Sequence, residues 1–178
     1  MGSGQPVRRP LAEEALDAFA AFVAGADVRD AAGGLGAQIR IDGPAGHVLH
    51  ERTLLPDDRY RLRAQVSQWI ADPAVDGILV TGGTGFTGRD STPEALLPLL
   101  DKDMPGFGEL FRQISFDEIG TSSLQSRAFA GLANQTFLFC LPGSTSACRT
   151  AWEKIIRAQL DARTLPCNLA TLRPRLKE

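Results

Sequence analysis

The sequence predicts an α/β domain, a parallel sheet with helices on both faces, on three observations. Two apolar runs suited to strands buried on both faces, Ile78-Leu-Val80 and Thr136-Phe-Leu-Phe-Cys-Leu141, each end at a glycine-containing turn. Each turn reopens as a helical pattern. An amphipathic helix precedes the first run, with Leu62, Val66, Trp69 and Ile70 at helical spacing behind a Pro56-Asp57-Asp58 turn. Right-handed crossovers put both glycine loops at the carboxyl edge of the sheet, where a reversal of strand order would bring them into one ligand crevice.

In the first loop, Gly82, Gly83 and Gly85 free the backbone for a close turn that aims several N–H groups at one phosphate. Ser91 or Thr92 is placed to cap the next helix and Pro93 to open it, so its positive dipole end faces the loop. Asp90 is the nearest carboxylate able to hold a metal ion. Between Leu100 and Leu132 the pattern predicts a Pro105–Gly108 turn, a helix over Glu109–Ile114 and a second from about Ser122 to Leu132. After the second strand, Pro142-Gly-Ser-Thr-Ser146 is another strand-to-helix turn with hydroxyl caps. Its helix carries Ala147, Cys148, Ala151, Trp152, Ile155, Ile156 and Leu160 on one face, which packs on the sheet.

At 178 residues, with 43% hydrophobic and 22% charged, the chain fills one core and is short for two domains. A net charge of -2 without a basic stripe argues against nucleic acid or an anionic membrane and for a small-molecule partner. The sequence has no apolar run near the roughly 20 residues that span a bilayer and no signal-peptide centre, which predicts a cytoplasmic protein. Cys140, Cys148 and Cys167 include no C-x-x-C pair and read as reduced, buried structural thiols. His47 and His50 sit in a polar, strand-like segment that suggests a surface role.

Gly83-Thr-Gly-Phe-Thr-Gly88 matches G-x-G-x-x-G, but the helix starts only at Thr92 and no acidic residue ends a strand about 20 positions on. A dinucleotide fold is therefore rejected. The absence of G-x-x-x-x-G-K-[ST] excludes a P-loop. Asp57 and Asp90 each open a helix and would serve as caps, or would share Mg²⁺ with phosphate, which needs only one or two protein carboxylates. Ser126-Arg127 falls on an expected helix, where Arg127 would pair with phosphate or with a surface carboxylate.

Taken together, Thr81-Gly-Gly-Thr-Gly85, Arg89-Asp-Ser-Thr-Pro-Glu-Ala95, Pro105-Gly-Phe-Gly-Glu109, Leu124-Gln-Ser-Arg127 and Leu141-Pro-Gly-Ser144 resemble the MoaB/MogA family of molybdenum-cofactor biosynthesis. Ile119-Gly-Thr-Ser-Ser-Leu-Gln-Ser-Arg127 and Cys148-Arg-Thr-Ala-Trp-Glu153 are similar to its MoaB branch. The resemblance runs from about Gly46 to Asn168. It implies a three-layer α/β/α fold with a mostly parallel sheet, a homotrimer or homohexamer, and molybdopterin binding. In active relatives Mg-ATP adenylylates molybdopterin and pyrophosphate leaves. Carried over by position, Thr81, Gly82, Gly83, Thr84, Gly85, Ser126, Pro142, Gly143, Ser144 and Thr145 would bind substrate. Asp57 and Asp90 would serve Mg²⁺ and transfer.

The resemblance breaks before Gly46. The family begins with an apolar strand and an Asp-Thr-Ser-Gly-like turn, whereas this chain has Leu11, Ala15, Leu16, Phe19, Phe22 and Val23 at helical spacing and then an Ala/Gly/Arg-rich stretch. Residues 1–45 are thus read as an atypical segment, shifted in reading frame or diverged, ahead of a molybdopterin-binding domain at 46–178. Loss of a central strand would leave its neighbour's backbone unpaired.

Overall fold

The computed structural model describes residues 33–42 and 46–177, so the helix expected around Leu11–Val23 lies outside the described residues. In chain order the elements are β1 (Gly33–Asp42), β2 (Gly46–Pro56), α1 (Arg59–Ala71), β3 (Gly77–Thr81) and α2 (Thr92–Leu96) with a 3₁₀ turn at Leu97–Leu99. There follow β4 (Lys102–Asp103), α3 (Pro105–Ile119) with a 3₁₀ turn at Gly120–Gln125, β5 (Phe129–Ala133), β6 (Thr136–Leu141), α4 (145–160) and α5 (Leu169–Leu172). A π-helical turn at Trp152–Ile156 interrupts α4. No helix among the described residues is long and apolar enough to cross a membrane.

One sheet contains the strands in the order β2-β1-β3-β6-β5-β4. Only β3 and β6 pair in parallel; the other neighbours are antiparallel, so the sheet is mixed rather than mostly parallel. For β5 and β6 the cause is their short connection, since a tight turn can only reverse the chain. Asn134 and Gln135, with φ of 43° and 70°, form the two-residue link between the paired Ala133 and Thr136. Positive φ at both positions is what a type I′ hairpin turn requires. The 3₁₀ turn at Gly120–Gln125 and then β5 occupy the span of the helix expected over Ser122–Leu132. The preceding helix is longer than Glu109–Ile114, because Pro105 sits in its first turn, where a missing N–H costs nothing.

Residues alternate in facing across β3 and β6, and the two cores follow that alternation. Ile78, Val80, Leu138 and Cys140 pack with Leu62, Val66 and Trp69 of α1 and with Ala95 and Leu96 of α2. On the opposite face Leu79, Phe137, Phe139 and Leu141 meet Phe107 and Phe111 of α3 and Cys148, Ala151, Trp152 and Ile156 of α4. Three layers result. Because α2 follows β3 and α4 follows β6, neighbouring parallel strands send their chains to opposite faces, which is the strand-order reversal that opens a crevice.

The N-terminal edge of β3 is covered. Leu35 to Ile39 of β1 pair antiparallel with Thr81 back to Gly77, and β2 pairs with β1 in turn. Of the cysteines, Cys140 and Cys148 are buried as expected, but Cys167 is exposed, in the irregular segment before α5.

Phe139, 1% exposed and in edge-to-face contact with Phe107 at 5.4 Å, is central to the α3–α4 core. Replacing Phe139 with Ala should cost about 3–5 kcal/mol in urea unfolding, through lost burial and the cavity left behind.

Candidate functional site

The ends of β3 and β6 fix the two glycine loops against each other. Thr81 lies opposite Leu141, the Gly82 amide donates to the Leu141 carbonyl at 2.9 Å, and the Thr81 hydroxyl donates to the Pro142 carbonyl at 2.9 Å. Thr81 is buried, and its hydroxyl also lies 3.1 Å from the Cys148 thiol. Thr81 therefore latches the loops together. Burial pushes the Cys148 thiol up, against a smaller lowering by Thr81, so it is no thiolate nucleophile.

The first loop, residues 82–91, is built around two tight points. Gly83 has φ +64°, and a Cβ there would meet the Thr92 hydroxyl oxygen at 2.5 Å. That approach is needed because Thr92 donates its hydroxyl to the Gly82 carbonyl at 2.9 Å and its amide to the Gly83 carbonyl at 3.0 Å. Ser91 holds the N-cap position of α2 without a side-chain cap, so Thr92 closes this turn. A Cβ at Gly85 would lie 2.8 Å from Asp90 Oδ2.

Asp90 folds back on its own loop. Its Oδ2 accepts from the Thr87 amide at 2.7 Å and from the Thr87 hydroxyl at 2.6 Å. Burial raises the Asp90 carboxyl, but the Thr87 hydroxyl and amide, the Gly85 amide and the Arg127 charge outweigh it and hold the group below its ordinary value. The carboxylate is ionised at neutral pH. It braces a loop turn rather than capping α2.

Arg127 spans the loop from the side. Its amide donates to the Thr84 carbonyl at 3.1 Å, its Nε to the Gly85 carbonyl at 2.8 Å and its Nη2 to the Asp90 carbonyl at 2.8 Å. Its Nη1 pairs with Glu94, and its guanidinium lies 5.3 Å from the Phe86 ring centroid. Of the partners expected for Arg127, the structure supplies the carboxylate, together with three carbonyls that the sequence did not suggest. Arg127 and Ser126 lie between the 3₁₀ turn and β5 rather than on a helix. The Ser126 hydroxyl accepts from the Ala128 amide at 3.3 Å.

In the second loop, Ser144 is the N-cap of α4 and its hydroxyl accepts from the Ala147 amide at 3.3 Å. Gly143 and Ser144 follow β6 at the same edge at which Gly82 to Gly85 follow β3, and Thr145 opens α4, whose positive dipole end lies there. Thr84 is buried beneath the first loop.

Asp57 does not cap α1; Asp58 does, accepting from the Tyr60 and Arg61 amides at 2.9 and 2.8 Å. Asp57 is exposed and has no hydrogen bond or ion pair among the described residues. It follows the end of β2, which runs in the same direction as β3, so it stands at the same sheet edge as the loops. With two strand spacings between β2 and β3, the offset is roughly 10 Å. Among the described residues no three His, Cys, Asp or Glu side chains gather to hold a metal. A magnesium ion that takes most of its ligands from phosphate and water asks for only one or two protein carboxylates. His47 sits apart, half-buried on β2 and edge-on to Trp152 at 6.2 Å. His50 is exposed.

A family model described as a probable molybdopterin binding domain matches residues 26–162. Molybdenum cofactor biosynthesis protein B of Escherichia coli (strain K12) is 59% identical over 134 residues, covering 75% of this chain and 77% of that protein. The protein of the same description from Staphylococcus aureus (strain MRSA252) is 46% identical over 110 residues, 61% of this chain and 65% of that one. Among solved structures, a crystal structure of molybdenum cofactor biosynthesis protein B superposes with TM-score 0.60 at 39% identity, covering 68% of this chain and 71% of that chain. The tungsten cofactor synthesizing protein MoaB from Pyrococcus furiosus reaches 0.53 at 38% identity, with 57% and 64% covered.

Two measurements test the loop architecture. Lys in place of Arg127 keeps the charge but loses the planar fork. Amide exchange over residues 82–91 should then accelerate severalfold, while the β3 and β6 amides stay protected. The Asp90 carboxyl, held below its ordinary value of 3.8, contributes loop stability above that pH and loses it as pH falls through the folded-state value. Acid titration followed by exchange in the same loop should show this loss, and Asp90→Asn should flatten it.

Proposed function

The chain belongs to the molybdopterin-binding-domain family of molybdenum-cofactor biosynthesis proteins, and from that premise we propose that it binds molybdopterin in the crevice between the two glycine loops and adenylylates it. In this reading an oxygen of the molybdopterin terminal phosphate attacks the α-phosphorus of ATP. The bond to the β-phosphate bridging oxygen breaks, and pyrophosphate leaves. The observation that carries the reading is the pair of rigid, backbone-lined loops locked side by side at the point where strand order reverses.

Phosphoryl transfer of this kind asks for positioning and charge stabilisation rather than a nucleophilic side chain. The chain's own parts match that demand. With the Gly82 and Gly85 amides committed to the Leu141 carbonyl and the Asp90 carboxylate, the Gly83 and Thr84 amides would offer one cradle and the amides at the α4 terminus a second, so two phosphorylated ligands can be held against each other. Cys148 is buried and protonated, and Thr81 is committed to Pro142, which leaves the reacting groups to the substrates. Asp90 and Asp57 would hold magnesium, whose charge neutralises phosphate oxygens as the pyrophosphate leaves. By resemblance to the family, the assembly is a cytoplasmic homotrimer or homohexamer.

A non-catalytic carrier of molybdopterin is the second reading, and the use of Asp90 as an internal brace for Thr87 favours it. Pyrophosphate release by the purified protein with Mg-ATP and molybdopterin separates the two. The transferase releases pyrophosphate, and Asp90→Asn lowers the rate by ~100-fold or more while molybdopterin still binds. Wild-type protein that binds molybdopterin without releasing pyrophosphate is a carrier.

A further inference from the structure

Phe86 is a large side chain at the apex of the first glycine loop, and positioning phosphates gives it nothing to do. It is 72% exposed. An apolar ring left in water forgoes its hydrophobic burial, yet the backbone on both sides of it is held. Gly85 is tied through its carbonyl to Arg127 Nε at 2.8 Å, and Thr87 through its amide to Asp90 Oδ2 at 2.7 Å. The ring is therefore displayed by a braced loop.

Its one ring contact among the described residues is the Arg127 guanidinium, 5.3 Å from the centroid. Arg127 thus connects the ring to the same carbonyls that shape the phosphate cradle. Phe86 lies four residues beyond Gly82, at most ~14 Å of extended backbone. One ligand can reach the loop amides with a phosphate and this ring with its other end.

We propose that Phe86 is the stacking platform for the planar heterocycle, a nucleobase or a pterin, of the ligand whose phosphate sits on the glycine loop. The proposal rests on the reading of the crevice as a site for phosphorylated ligands. Stacking suits the surroundings: an aromatic face holds a planar ring without hydrogen-bond partners. A guanidinium beside the ring adds a cation–π component and limits its rotation.

Wild type, Phe86→Leu and Phe86→Trp are titrated calorimetrically with ATP, with molybdopterin and with inorganic tripolyphosphate. Leucine keeps apolar bulk without a π face, and tryptophan keeps the face. The expected result is about tenfold weaker binding of ATP or of molybdopterin to Phe86→Leu, recovery in Phe86→Trp, and unchanged tripolyphosphate binding in both. The ligand that weakens is the one whose ring stacks. Unchanged binding of both ring-bearing ligands to Phe86→Leu overturns the proposal, and so does an equal loss of tripolyphosphate, which would make Phe86 a support of the loop. Wild-type protein that binds neither ATP nor molybdopterin overturns the crevice reading and the platform with it, a failure distinct from the other two.

Discussion

Five residues of β3 lie in parallel register with five of β6, Gly77 opposite Phe137 and Thr81 opposite Leu141, and the site exists because of that pairing. Parallel neighbours end at the same edge, so the two loops begin one strand spacing apart. Both strands are buried along their whole length, which holds the shared edge in place. Their helices then leave to opposite faces, one into the Trp69 and Ala95 core and the other into the Phe139 and Trp152 core. A crevice between the loops follows from topology before any polar group is considered.

What topology provides is the shared edge, and Arg127 braces the first of the two loops there. The glycines that let amides converge also give the loop the largest conformational entropy to lose. Three carbonyl contacts and an ion pair to Glu94 offset that loss. Support reaches α2 as well: Arg63 of α1 donates to the Ala95 and Glu94 carbonyls at 2.9 and 2.8 Å, anchoring a helix of only five residues. Arginine suits both tasks because its fork reaches several acceptors at fixed geometry and stays charged.

The sequence exposed the parts of this design that are local. β3 and β6 were legible because continuous apolar runs of that length, ending at glycine, have few other structures open to them. α1 and α4 were legible from their periodicity. β5 was not, because Phe129-Ala-Gly-Leu-Ala133 is compatible with a helix and its turn, Asn134-Gln135, lacks the glycine that marks most two-residue hairpins. The loop glycines and Asp90 could be singled out from spacing. The bracing role of Arg127 could not, since its carbonyl partners lie 37 and 42 residues away in sequence. Thr87 was overlooked although Thr87-x-x-Asp90 is a turn pattern of hydroxyl and carboxylate that carries its own signal.

The amino-terminal strands bear on the site through their direction. β1 runs antiparallel to both β2 and β3, so β2 points the same way as β3 and β6 although it pairs with neither. Leu54, Leu35, Thr81 and Leu141 therefore form one row across four strands, and Asp57 lies just beyond it on the side where both loops emerge. A strand parallel to β3 in place of β1, still antiparallel to β2, would have turned β2 around and carried Asp57 to the opposite edge. The mixed character of the sheet is thus what keeps the Asp57 carboxylate on the side of the glycine loops.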